Sequence, residues 1–497
     1  MAEATAKGAR EHERKRGTRN RQNQSPSVRP RQEKAQGAQR KGREAKPGLP
    51  TRLAAATLLG AVIDKNVALD GLTDDANGHP LYLSLDGRDR TLVRAILLSA
   101  LRHRSQIEAV IDHRLDRPLP EGARSLKHHL HVALAQILLL DVPDSAAVDL
   151  GVSAAERDPR AKRFKGLANA LLRRIVREKA KVVDWMARHP PRPPLWLEER
   201  LIAAYGPDAT EAILRAHAHE APLDLTIRAV QGGESEAAQH WTERLGGVAL
   251  PTGTVRLGRS DGPLTELNGF AEGAWWVQDA ASALPVKLFG DLQGVRALDL
   301  CAAPGGKTAQ MAARGAYVTA VEINANRVRR LRGNLERLEL SASIVTADAL
   351  ELTLDDVGGE PFDAVLVDAP CSSTGTIRRH PDVAWTKTPE DVARLAALQA
   401  RLLTRAADFV APGGCLVFAN CSLLPEEGER LTEAFPLLRS DFRLDPIDPK
   451  ELGEGEAVRA FVRSNGTLRT TPAMLPGPEP RLEGLDGFHA ARFRKDR

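Results

Sequence analysis

Apolar residues in the first half of the chain recur every three to four positions. Leu92, Ile96, Leu97 and Leu101 fall on one face of a 3.6-residue repeat, and Phe164, Leu167, Leu171 and Ile175 do the same while Lys165, Arg173 and Arg174 point elsewhere. Few β-branched runs interrupt this pattern from Thr51 to about Ala187, so residues 49–187 are expected to form an all-α domain. Pro190, Pro191, Pro193 and Pro194 break the helical pattern and read as a linker. A helical opening up to about His217 and short β-like pieces such as Leu223 to Val230 then predict a small α+β subdomain over 188–272. From about Gly273 the period alternates. Val295–Leu300, Tyr317–Glu322, Ser343–Thr346, Phe362–Asp368 and Cys415–Ala419 read as strands with helical stretches between them. Residues 273–497 are therefore expected to be an α/β unit built on a doubly wound parallel sheet. At 497 residues, several cores rather than one are expected.

Composition changes the picture mainly at the start. Residues 1–48 are rich in Arg, Lys, Gln, Gly and Ser and hold almost no large apolar side chains, so burial cannot offset the entropy of ordering them. They read as a disordered basic tail. Residues 1–50 carry 14 Lys or Arg against 5 Asp or Glu; this surplus of +9 exceeds the whole chain's +5 and leaves the remainder at −4. Such a tail attracts a polyanion, although a solubilising extension has the same composition. No apolar run approaches the roughly 18 residues of a membrane span, and Met1 to Arg10 lack the apolar block of a secretory signal. A cytoplasmic, non-membrane protein is the expectation. Four cysteines, Cys301, Cys371, Cys415 and Cys421, include no C-x-x-C pair, which argues against a disulfide framework or zinc site. No metal is expected.

Ligands of such sheets bind beyond the carboxyl ends of the strands, so the residues just after each strand matter most. The first strand delivers Cys301, Ala302, Ala303, Pro304, Gly305, Gly306 and Lys307, whose small side chains let backbone approach a ligand at the start of a helix. The second ends at Glu322, suited to accept both ribose hydroxyls of a nucleoside, and Asp348 closes the third, where adenine could be met. The spacing fails G-x-G-x-x-G, and a glycine-rich loop alone is weak evidence. The fourth strand delivers Asp368-Ala-Pro-Cys371 and the fifth Cys421-Ser422, so two thiols and an acid share one sheet edge. A thiolate can add covalently to an electrophilic ring carbon of a substrate and so make the neighbouring carbon enamine-like. At an ordinary pKa near 8.5, about 3% of a cysteine is thiolate at pH 7. Asp368 could hydrogen-bond an amino group or ring nitrogen of such a substrate and stabilise charge that develops during addition. The residues alone leave open which thiol attacks, whereas Cys415, inside a strand, and Cys301, in the loop, read as packing groups.

The string D-L-C-A-A-P-G-G-K-T resembles the cofactor loop of the RNA cytosine-C5 methyltransferases. The resemblance implies S-adenosylmethionine as cofactor, held by residues 301–307, Glu322, Asp348 and Asp368. In that family the nucleophile follows the fifth strand and the Pro-Cys thiol assists product release, which implies Cys421 for attack and Cys371 for release. Asn420 stands where the family usually has Thr. Gly375-Thr-Ile-Arg-Arg-His-Pro-Asp382 with Trp385, F-A-E-G-A-W-W-V-Q-D-A-A-S (270–282) and D-G-F-H-A-A-R-F (486–493) resemble further family segments, the first offering cations and an aromatic to RNA. The helical domain, through F-K-G-L-A-N-A-L-L-R-R, is similar to NusB-like RNA-binding domains. Together these point to the bacterial 16S rRNA cytosine-C5 methyltransferase B family, with small-subunit rRNA as partner and a monomer as the expected state. Rival readings are a non-catalytic RNA-binding assembly factor, a tRNA cytosine methyltransferase and a DNA methyltransferase.

Overall fold

The computed structural model describes residues 46–228, 234–258 and 262–497. The expected basic tail, apart from residues 46–48, lies outside the described residues. The helical region opens with Leu49–Lys65 and continues through Gly87–Arg102, Arg104–Asp112, Arg124–Leu139, Asp144–Arg157, Lys165–Arg177 and Lys179–Arg188. Asp86 caps the second of these by accepting from the Asp89 amide. Ile96, Leu97 and Leu101 are buried there, with Val93 beside them, and Leu92 is half-buried. The stripe read farther along is shifted. Phe164 sits in a short 3₁₀ turn ahead of the helix, and Leu167 is 37% exposed. With the helix starting at Lys165, the i, i+3, i+4, i+7 face is instead Ala168, Leu171, Leu172 and Ile175, all buried. Among the described residues no helix is long and apolar enough to cross a membrane.

After the prolines come helices Leu195–Tyr205 and Pro207–His217 and an antiparallel sheet of β1 (Leu223–Ile227), β2 (Val248–Ala249), β3 (Val255–Leu257) and β4 (Trp275–Val277), in the order β2-β3-β1-β4. Helix Glu234–Leu245 lies between β1 and β2 in the chain. The sheet is pinned by a fully buried fork: Arg256 Nε and Nη2 each donate to an Asp224 carboxylate oxygen at 2.7 Å. The remaining guanidinium nitrogen, Nη1, donates to the carbonyls of Leu482 and Gly484, at 3.0 and 2.6 Å, tying this sheet to the late part of the chain.

The larger sheet comprises β5 (Arg296–Leu300), β6 (Tyr317–Val321), β7 (Ser343–Val345), β8 (Phe362–Asp368), β9 (Val410–Asn420), β10 (Phe442–Leu444), β11 (Leu468–Thr470) and β12 (Phe488–Lys495). Its order is β10-β12-β9-β8-β5-β6-β7, with β11 also paired to β12. The run β9-β8-β5-β6-β7 is parallel, as expected, but β12 is antiparallel to β9, β10 and β11, so the sheet is mixed rather than wholly parallel. Its two faces are covered by separate apolar clusters. Leu366, Val417 and Phe488 belong to one, and Val365, Val367, Leu416 and Phe418 to the other. Alternate residues of β8 thus enter opposite cores, which fixes its register. In that register Asp368 lies opposite Ala419.

Removing one partner of a fully buried ion pair strands the other charge. Asp224→Ala is expected to lower unfolding stability by about 3–5 kcal/mol in urea titration, with Asp224→Asn losing less; a loss within experimental error for Asp224→Ala would show that the fork is dispensable.

Candidate active site

The chain leaves β5 through Cys301, which has φ 64°, and turns at Gly305, with φ 104°, into the helix Gly306–Ala313. The backbone angle at Gly305 requires glycine, and a Cβ there would also displace the Leu331 side-chain tip, 2.4 Å away. Thr308, in the first turn of the helix, donates to Asp299 Oδ2 at 2.6 Å. Asp299 Oδ1 has no hydrogen-bond partner, and burial pushes this carboxyl up to about 7. Burial likewise pushes the Cys301 thiol up to about 12 and that of Cys415 up to about 12, so neither is poised as a thiolate.

Glu322 follows β6 and is buried. Its Oε1 accepts from the Asn324 amide at 3.0 Å, and Arg327 Nη1 lies 3.1 Å from Oε2, an oxygen without an aligned hydrogen-bond donor. Asp348 accepts from the Leu350 amide at 2.9 Å. Lys307 Nζ donates to Asp368 Oδ2 at 2.7 Å and sits 5.0 Å over the Phe488 ring. A cavity of about 330 Å³ opens beside this pair, lined by Trp276, Gln278, Gly305, Gly306, Lys307 and Asp368 among others. Of the residues singled out from the sequence, Ala302, Pro304, Gly305, Gly306, Lys307 and Asp368 line this cavity, whereas Cys301, Ala303, Glu322 and Asp348 follow the same parallel strands outside its lining. Among the described residues no cluster of His, Cys, Asp or Glu could hold a metal ion.

Cys371 and Cys421 leave the adjacent strands β8 and β9, and their sulfurs are 3.4 Å apart. The hydrogen bond they share, with burial adding to it, pushes the Cys371 thiol well above its ordinary range. Beneath them lies a residue that sequence reasoning passed over. Glu427, fully buried, accepts from the Ser372 amide at 2.8 Å and from the hydroxyls of Ser372 and Ser422, the latter at 2.6 Å. Gln399 Nε2 donates to its Oε1 at 2.9 Å. Asn420 serves the same turn: its Oδ1 accepts from the Ser422 amide at 2.9 Å while its Nδ2 donates to the Glu427 carbonyl at 2.6 Å. The sequence signal was only that acidic residues follow Cys421.

The Gly375–Trp385 segment differs from the expected RNA contacts. Arg378 and Arg379 converge on Asp279 and Asp486: Arg378 Nε donates to Asp486 Oδ1 at 3.3 Å and Arg379 Nε to Oδ2 at 3.0 Å, and Arg379 also pairs with Asp279. Arg378 is 3% exposed, so these cations hold the segment inside the protein instead of facing phosphates. Trp385 donates from its indole to the Leu101 carbonyl at 2.9 Å and carries Arg104 4.4 Å over its ring, which makes it a contact with the helical region. His380 lies 3.4 Å from Asp70 of the same region. Gly375 donates from its amide to the Cys421 carbonyl at 2.9 Å; a Cβ there would lie 2.0 Å from the Gly487 carbonyl. The segments 375–382 and 486–493 thus meet behind the second cysteine.

A parallel sheet closed by an antiparallel strand, with paired thiols at its edge and a helical region ahead of it, is the architecture of an RNA methyltransferase, and known proteins agree. The 16S rRNA methyltransferase RsmB/F family matches residues 291–494, and the NusB family matches 49–177. The ribosomal RNA small subunit methyltransferase B of Xylella fastidiosa is 36% identical over 454 residues, covering 90% of this chain and 99% of that one. Its namesake from Klebsiella pneumoniae is 34% identical over 465 residues, covering 91% and 100%. The crystal structure of PH0851 superposes with a TM-score of 0.64 over 91% of this chain and 99% of that chain at 22% identity, a likeness of fold. The chain belongs to the ribosomal RNA small subunit methyltransferase B family.

The raised carboxyl of Asp299 has a consequence for stability. Its folded value of about 7 exceeds the ordinary 3.8, so the native state keeps a proton that the unfolded chain releases. Stability is then lost as pH rises from about 4 towards 7. Asp299→Asn is expected to flatten that decline in urea titrations across the window; a wild-type slope in the variant would remove Asp299 as its source.

Proposed function

We propose that this RNA methyltransferase methylates carbon 5 of a cytosine in 16S rRNA, with Cys421 as covalent nucleophile, Cys371 as the thiol that assists release and Asp368 contacting the base. The observation that carries the reading is the 3.4 Å approach of the two sulfurs at the edge of β8 and β9, with Asp368 three residues before Cys371. Family membership supports the substrate class.

In this reading S-adenosylmethionine, when bound, supplies an electrophilic methyl group. The orphan oxygen of buried Glu322, the glycine turn and the helix start at Gly306 fit an adenosine ribose and an amino-acid tail, so residues 301–307, Glu322, Asp348 and Asp368 would hold the cofactor. Cys421 Sγ, as thiolate, adds to carbon 6 of the cytosine, and carbon 5 becomes nucleophilic. Lys307 fixes the Asp368 carboxylate, which accepts a hydrogen bond from the cytosine amino group. After methyl transfer a base removes the carbon-5 proton, the electron pair re-forms the ring double bond, and the sulfur–carbon bond breaks to regenerate Cys421. Cys371, which stays a thiol beside Cys421, donates a hydrogen bond to the departing thiolate and so stabilises the charge that returns to Cys421 as the sulfur–carbon bond breaks. The base must leave any helical stack to reach this edge. Residues 49–187 then act as an RNA-binding NusB-like domain and the large sheet from β5 onward as the methyltransferase domain, joined through an α+β subdomain whose sheet runs past the expected boundary at 272 to β4, Trp275–Val277.

With radiolabelled S-adenosylmethionine and 16S rRNA, wild type is expected to transfer label to cytosine carbon 5 and Cys421→Ala to lose transfer entirely. Cys371→Ala is expected to accumulate an RNA–protein adduct on denaturing gels. No transfer above the Cys421→Ala background would favour a scaffold, and an adduct in Cys421→Ala instead would reverse the two thiols.

A further inference from the structure

Glu427 is an unusual carboxylate for its surroundings. It is fully buried, and among the described residues no Lys, Arg or His forms an ion pair with it. Arg469 acts on it only through space, its guanidinium being engaged by Glu429 and the Ser422 carbonyl. Burying a charge without a cation is costly, and hydrogen bonds must offset it. They do so completely. Oε1 accepts from the Ser372 amide and Gln399 Nε2, and Oε2 from the Ser372 and Ser422 hydroxyls, so both lone pairs of each oxygen are used. Ser372 and Ser422 directly follow Cys371 and Cys421.

We propose that Glu427 is the positioning residue of the thiol pair, its buried carboxylate joining the two cysteine-bearing loops so that the sulfurs stay in contact. This rests on the reading of Cys421 as nucleophile. The joint does not depend on β-sheet pairing, because both cysteines lie beyond the last paired residues of β8 and β9, Asp368 and Asn420. Without it, the loops are linked near the thiols by the Gly375 amide on the Cys421 carbonyl and the Thr374 hydroxyl network. Its negative charge also adds, after the hydrogen bond to Cys421 and burial, to the effects that keep Cys371 protonated. A neutral residue of the same shape would fill the space but leave both loops short of acceptors.

The test is Glu427→Gln in the full chain, assayed with S-adenosylmethionine and 16S rRNA. A loss in kcat of about 100-fold is expected, the scale set by an ångström of misplacement at a reacting group, with KM for RNA and cofactor within about two-fold. Iodoacetamide labelling with peptide mapping is expected to shift towards Cys371, a change that a merely structural role would not produce. Unchanged kcat, or lost kcat with the wild-type labelling ratio, overturns the proposal. Should Glu427→Gln fail to fold, Ser372→Ala decides: it keeps the carboxylate and the Thr374–Ser422 and Leu424–Ser422 contacts but removes the Ser372 hydroxyl link to Glu427, and reduced kcat with labelling shifted towards Cys371 supports the proposal while any other outcome overturns it. Trapping wild type on RNA containing 5-fluorocytosine separates this from the underlying reading, since an adduct mapped to any residue other than Cys421 overturns the nucleophile assignment whatever Glu427 does.

Discussion

The parallel pairing of β8 with β9 is the constraint on which the active edge depends. With Asp368 opposite Ala419, both chains leave the sheet at the same height, and the two cysteines emerge as neighbours. A slip of one residue would turn Val365 and Val367 out of one apolar cluster and Leu366 out of the other, so both cores resist it. Core packing therefore sets the position of the chemistry, and it reaches the edge directly: Cys421 packs against the cluster that holds Phe488, and Phe488 lies under Lys307. Beyond the strands a second device takes over, because loops free of ladder hydrogen bonds need side-chain ties to keep a fixed geometry.

The parallel half of the large sheet was legible because its strands carry apolar runs punctuated by Gly, Pro or Asp, although β9 starts at Val410, well ahead of the apolar run Cys415–Ala419 that marks it. Phe362–Asp368 has the bounds its alternation suggests. The antiparallel β12 is harder to see as a strand. Its F-H-A-A-R-F-R-K run interleaves His489 and Arg492 with apolar residues, and these are buried by distant partners: Thr432 for the histidine, Glu451 and Asp445 for the arginine. No local pattern announces such pairing. The stripe near Leu167 differs only at its start: Leu171 and Ile175 are buried as expected, whereas Phe164 precedes the helix in a 3₁₀ turn and Leu167 is exposed, with Ala168 and Leu172 buried in their place.

The same contrast holds at the active edge. Spacing after the strands brought together the glycine turn, Glu322, Asp348, Asp368 and both cysteines, because that inference needs only the topology. Arg378 and Arg379 look like phosphate ligands in a sequence, where a guanidinium carries no mark of its partner. Their partners are Asp279, about a hundred residues earlier, and Asp486, about as far beyond. Glu427 was obscure for another reason. It lies in a stretch without helical or strand period, and its value comes from two serines brought near it by the tertiary fold.

The place of β12 orders the events of assembly. It lies between β9 and β10, and the residue just before it, Gly487, packs against Gly375 behind the second thiol. Strands β5 to β9 can pair with one another as the ribosome delivers them, but the wall behind Cys421 stays open until residues 487–495 arrive. A nascent chain with most of its sheet in place therefore carries both thiols in an unfinished setting, and the reactive arrangement is among the last features to form.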